Sequence, residues 1–196
     1  MNANRSIYQI KIMLRDSKPP IWRRLLVSSD TTLYQLHEII QIAMGWTNSH
    51  LHQFIVGDEY YSIPDEDDWI EYEDERKYKL QKITDTEGFK FIYEYDFGDS
   101  WDHQILIEKI LPAEPDMKYP ICIKGKRACP PEDIGGVWGY EDFLEAINDA
   151  SHKGHEHYRE WWGGDFDSEE FNLEEINQLL LGYKPETGSD QELLWK

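Results

Sequence analysis

Tyr93-Glu-Tyr-Asp-Phe-Gly-Asp-Ser-Trp-Asp-His103 lies where two runs of strand-like residues, 89–96 and 101–110, meet. Such runs on either side of a glycine-containing turn specify a sheet hairpin. Gly98 is expected to supply a positive φ at the turn. Asp96 and Asp99 flank it, where a carboxylate can accept backbone amides. On the outgoing strand Trp101, His103, Ile105 and Ile107 share one face, so His103 is expected to point inward beside Trp101. The eleven residues hold four aromatics, four carboxylates and a histidine. A hairpin needs fewer polar groups, so the stretch marks the wall of a candidate pocket. Asp96-Phe97-Gly98 also spells the magnesium triplet of protein kinases, but no glycine-rich loop or His-Arg-Asp accompanies it, and the likeness is coincidental.

Toward the N-terminus, 7–14 alternates as a strand with Tyr8, Ile10, Ile12 and Leu14 on one face, and 21–27 resumes after Lys18-Pro19-Pro20. Thr32 and Gln35 have capping-box spacing. Leu33, Leu36, Ile40, Ala43 and Met44 then form an apolar stripe that Gly45 ends. Residues 50–56 read as another strand. Strand, strand, helix, strand is a β-grasp-like opening. Beyond the hairpin come an extended piece at 119–123, an irregular 125–136, and helices near 140–147, 152–162 and 173–181, the last capped by Asn172 with Glu175. The predicted architecture is α+β: a mixed sheet with C-terminal helices in a single domain over 1–184, then a frayed tail over 185–196.

Residues 58–75 carry ten carboxylates with no basic residue among them, and an acidic, solvated insertion is expected over about 58–76. Asp65 and Asp67 fit the first positions of a calcium loop, but Ile70 stands where its glycine is needed. Overall there are 39 acidic and 20 basic residues, a net charge of −19, which disfavours direct nucleic-acid binding. Residues 1–24 run the other way: Arg5, Lys11, Arg15, Lys18, Arg23 and Arg24 oppose Asp16 alone. A charged edge hairpin explains this, and an anion-binding or partner-docking face is the alternative. Two cysteines, no leader-like start and no long apolar run fit a soluble, reducing, cytoplasmic setting without a membrane partner.

His50 and His52 are two apart on a predicted strand, so both imidazoles could reach one divalent metal of the zinc kind, with His103 as the first candidate for a third ligand and Asp96, Asp99 or Cys129 as others. Asp96, Asp99, Trp101, His103, Arg127, Cys129, Glu132 and Asp133 form the candidate binding pocket. Lys126 and Arg127 could lower the pKa of Cys129, although no local protease-like signature surrounds it. Cys122 and Cys129 lack the second pair that a structural zinc site needs. His152, His155 and His157 read as a surface segment.

Several blocks together resemble the plasmid pRiA4b ORF-3-like proteins. These are Pro20-Ile-Trp-Arg-Arg-Leu25, Leu36-His-Glu-Ile-Ile-Gln-Ile-Ala-Met-Gly-Trp46, His50-Leu-His-Gln-Phe54, Tyr95–His103, Arg127-Ala-Cys-Pro-Pro-Glu-Asp133 with Gly135-Gly136, and Trp162-Gly-Gly-Asp-Phe-Asp167. The resemblance spans about 7–181 and implies a compact prokaryotic domain associated with mobile elements, of unknown function. Ile134 stands where the family pattern often has a cysteine, which counts against a thiol-based site. Two readings follow. One is a binding or accessory domain with a protein partner, its acidic surface engaging a basic protein or imitating nucleic acid. The other is a metal-dependent hydrolase or nucleic-acid-processing enzyme that uses His50, His52 and His103.

Overall fold

A computed structural model describes residues 6–65 and 69–185. The elements in order are β1 (Ser6–Leu14), β2 (Trp22–Ser28), α1 (Leu33–Met44), β3 (His52–Val56), β4 (Glu59–Ser62), β5 (Glu73–Asp74), a helical turn α2 (Leu80–Ile83), β6 (Lys90–Tyr95), β7 (Trp101–Pro112), β8 (Ile121–Lys126), α3 (Gly136–Asn148), α4 (His155–Trp162) and α5 (Leu173–Gly182). The strands form one sheet in the order β5-β4-β3-β6-β7-β1-β2-β8. All neighbours are antiparallel except β4 and β5. The class is α+β with a mixed sheet, as the sequence predicts.

Period-two alternation builds the core. Tyr8, Ile10, Ile12 and Leu14 of β1 are buried beside Phe91, Tyr93 and Tyr95 of β6 and Trp101, Ile105 and Ile107 of β7. Helix α1 adds Leu33, Leu36, Ile40 and Met44 to the same core. It starts where predicted, with Thr32 and Gln35 exchanging both capping hydrogen bonds, and ends on Gly45 at φ 96°. The opposite face of the sheet is polar. Arg24 there forks onto Glu108 at 2.6 and 2.7 Å and lies over the Trp22 ring with Lys11.

The β1–β2 hairpin is not at an edge. β7 flanks it on one side and β8 on the other, so its charges have partners instead of guarding an open strand. Arg15 pairs with Asp102. Arg23 is buried, giving its guanidinium to the carbonyls of Ala43, Trp22 and Lys126 and its flat face to Phe171. The opening order matches β-grasp, but the β6–β7 hairpin separates β3 from β1.

The acidic stretch is more than a solvated insertion. It supplies β4 and the edge strand β5, and it buries Asp74 and Glu75. Arg76 and Lys77, just beyond it, pair with Asp74. Asp67 and the tail from 186 onward lie outside the described residues.

Candidate functional site at the hairpin tip

At the tip of the β6–β7 hairpin the left-handed positions are Asp96 (φ 57°) and Ser100 (φ 50°), while Gly98 is not among the positive-φ residues. That corrects the expectation for Gly98. Its small size matters for another reason: a Cβ there would lie 3.2 Å from Asp96 Oδ1. Asp96 makes the turn, accepting from the amides of Gly98 (2.9 Å) and Asp99 (3.4 Å). Asp99 turns away and accepts from Gly135 N at 3.1 Å, at the start of α3. Gly136 has φ 68°, and a Cβ there would overlap the Asp99 carbonyl oxygen. The hairpin tip and the loop leading into α3 are therefore packed backbone to backbone.

His50 lies just ahead of β3, which begins at His52, so the two histidines do not share a strand face. Asp96 N donates to Leu51 O (2.8 Å), which brings the 48–51 bend against the tip. His50 then sits between two carboxylates: Nδ1 is 3.6 Å from Asp96 Oδ2 and Nε2 is 3.2 Å from Asp133 Oδ1. Donor atoms of His50, Asp96 and Asp133 all lie within 4.8 Å of one another, and among the described residues no other such group of three forms. Although Nε2 is close to Asp133, its geometry is not that of a hydrogen bond, and this buried nitrogen has no other protein partner. Asn48 and Asp133 are also left-handed, at φ 58° and 59°. Four non-glycine residues in that sparsely populated region thus meet around one site.

Glu132 braces the site from behind. It accepts from Tyr95 OH (2.6 Å), Thr47 Oγ1 (2.6 Å) and Thr47 N (3.2 Å), and Ser49 N donates to the same Tyr95 oxygen (3.0 Å). Burial raises the Tyr95 phenol above its usual range, and the Glu132 bond adds to the effect.

The predicted trio of His50, His52 and His103 is not brought together. His52 packs on His37 and meets the Glu75 carboxylate at 2.9 and 3.0 Å. His103 is inward and fully buried, with Nδ1 3.4 Å from Tyr93 O and the Trp46 ring edge-on to it. Burial holds its imidazole down to about 4. Trp101 is fully buried next to it in the same core. Arg127 bonds Glu169 at 2.6 Å and the Pro20 carbonyl. Cys129 is no activated nucleophile, because burial, reinforced by Glu132, pushes its thiol well above the usual range despite Arg23 nearby. Of the pocket residues named from sequence, Asp96 and Asp133 join His50, Asp99 and Glu132 fix the surrounding loops, and Trp101, His103, Arg127 and Cys129 lie elsewhere. Sequence reading did not find Glu75. Its burial breaks the rule that a carboxylate run is solvated, and no pattern in the run marks it.

Comparison with known proteins agrees with this architecture. The chain is 40% identical over 178 residues to "Uncharacterized protein y4hQ" of Sinorhizobium fredii, a match covering 89% of this chain and 91% of that one. The crystal structure of MM3350, a protein of unknown function from Methanosarcina mazei Go1, superposes with a TM-score of 0.78 at 37% identity, over 87% of this chain and 96% of that one. The family model for the plasmid pRiA4b ORF-3-like protein matches residues 6–175. The chain belongs to the plasmid pRiA4b ORF-3-like family.

Proposed function

We propose that this protein is a binding or accessory domain, linked to mobile genetic elements, that holds a divalent cation between His50, Asp96 and Asp133. One observation carries the reading: three donors from three separate segments converge within 4.8 Å. One imidazole nitrogen and two carboxylate oxygens suit zinc or manganese. Three protein ligands also leave coordination positions for a water or a partner's group. The mobile-element link is supported by the family's plasmid origin. The net charge of −19 favours cationic over nucleic-acid partners. A cytoplasmic setting goes with the two free thiols. Among the described residues no helix is long and apolar enough to cross a membrane.

A metal-dependent hydrolase or nucleic-acid-processing enzyme is the second reading. It is favoured by the Asp133 side chain, 72% exposed, which leaves the outer side of the donor set open to a substrate. In that reading His50, and not His52 or His103, is the ligand.

The test is calorimetric titration of tag-free, chelator-treated protein with zinc and with manganese. One equivalent should bind, and His50→Ala and Asp96→Asn should each abolish it. Binding that survives in His50→Ala would place the metal elsewhere, for instance on His155 and His157, and would reject the proposal.

A further inference from the structure

A cavity of about 370 Å³ opens between the end of α1, the 128–132 loop and the segment that follows α4. Its walls mix polar and apolar surface, and Trp46, Cys129, Pro130, Trp162 and Phe166 supply apolar parts. These walls are held in place. Trp46 Nε1 donates to Pro130 O (3.0 Å), and Phe166 packs edge-on against both Trp162 (5.3 Å) and Phe143 (5.1 Å). Trp162 is nonetheless 44% exposed.

Carboxylates rim the opening: Glu132, Asp165, Asp167 and Glu170. No lysine or arginine lines it. Asp165 has Arg159 at 3.0 Å, but both side chains are well exposed, where water weakens such a pair. Glu132 already accepts from Tyr95 and Thr47, whereas among the described residues Asp167 and Glu170 have no salt bridge. Arg23 acts on Cys129 from within, but it is buried and bonded to backbone carbonyls.

Indole and phenyl faces attract a cation through their quadrupole. Carboxylates accept the forked donors of a guanidinium two at a time. The volume is at the small end for ligand pockets and suits one side chain. We propose that this cavity receives an arginine side chain from a basic partner protein. Charge complementarity supports that occupant, since the whole chain carries −19. The inference does not depend on the metal reading, because Trp162, Phe166, Asp167 and Glu170 are not among the metal donors.

The test uses the full chain and a neutral-capped pentapeptide, Gly-Ser-Arg-Ser-Gly, with citrulline and lysine analogues and free arginine amide as further arms. Binding is followed through the Trp162 indole NMR signal. The arginine peptide should shift that signal saturably and bind at least fivefold more tightly than the citrulline peptide. It should also outbind the lysine peptide and free arginine amide. Trp162→Ala and Glu170→Gln should each weaken it at least fivefold, while Glu145→Gln and Glu156→Gln, which remove the same charge elsewhere, should not. Glu170→Gln replaces a rim residue with its isostere, so it keeps the test decisive if Trp162→Ala folds poorly. Three outcomes would overturn the proposal: citrulline binding equally well, the control variants weakening binding as much, or free arginine amide matching the peptide. The last would make the ligand a small molecule.

Discussion

His37 and His52 stack face to face, their ring centroids 3.4 Å apart and their planes parallel. Two charged imidazoles cannot share that arrangement. Burial, aided by the neighbouring His52, keeps His37 well below its ordinary range, and burial holds His52 down to about 3. Glu75, bonded to the His52 ring, is pushed up to about 8 by burial, with Asp74 adding to the shift and Arg76 opposing it. Both shifts run toward the uncharged forms, which favours a carboxyl group hydrogen-bonded to a neutral imidazole.

Opposite pH dependences follow. Below about pH 6.5 the unfolded histidines take up protons that the folded ones refuse, so acidification through that range costs stability. At Glu75 the folded chain holds the extra proton, so stability is lost as pH rises from about 4.5 through 8. Glu75→Gln keeps the shape and a hydrogen-bond donor without the charge. Thermal unfolding from pH 6 to 9 should show the variant gaining on wild type, by on the order of a few kcal/mol at the alkaline end. Parallel curves would refute the assignment.

The tautomer of His37 follows from its neighbours. Asn48 Oδ1, 2.7 Å from Nε2, requires a proton on Nε2, so Nδ1 accepts from Tyr93 OH at 2.8 Å. Gln41 Nε2 donates to that same hydroxyl at 2.9 Å. Nitrogen-15 NMR should find His37 as the Nε2–H form. Tyr93→Phe should cost about 1–3 kcal/mol in urea unfolding, because it leaves buried partners unsatisfied.

Gly136→Ala should destabilise more than Gly45→Ala. Both glycines have positive φ, at 68° and 96°, but only Gly136 would press a Cβ into the Asp99 carbonyl. Gly45→Ala should cost about 1 kcal/mol for its backbone alone, and Gly136→Ala clearly more. Zinc affinity should fall in Gly136→Ala and hold in Gly45→Ala, because Asp133 is carried on the loop that Gly136 docks. Equal costs in the two variants would disprove the close packing.

Both thiols should resist alkylation. Burial raises Cys122 and Cys129 above the usual thiol range, and the thiolate is the reactive form. Iodoacetamide at pH 8 should label neither in the folded chain and both after denaturation, as read by mass spectrometry.

Much of the fold could be read from local patterns. Alternation in 7–14 and 101–110, the Thr32–Gln35 box and the Gly45 stop are short-range signals, and each element formed where its pattern predicts. The site was less legible. His50, Asp96 and Asp133 are far apart in sequence, and nothing local says that Leu51 O meets Asp96 N. The period of two paired His50 with His52, but β3 starts two residues later and the bend at 48–51 turns His50 away. The Gly98 reading failed because an Asx turn let Asp96 take the left-handed position. Glu75 was hidden because burial of a carboxylate depends on its partner, and His52 lies 23 residues earlier, at the start of β3.

The central β1–β7 ladder sets Leu14 opposite His103, about ninety positions further along the chain. The β1–β2 hairpin thus emerges early in synthesis with both outer hydrogen-bonding edges open, and these close only when β7 and β8 arrive. Assembly of the sheet is governed by this long-range closure and not by the hairpins, which places refolding among the slower, high-contact-order domains.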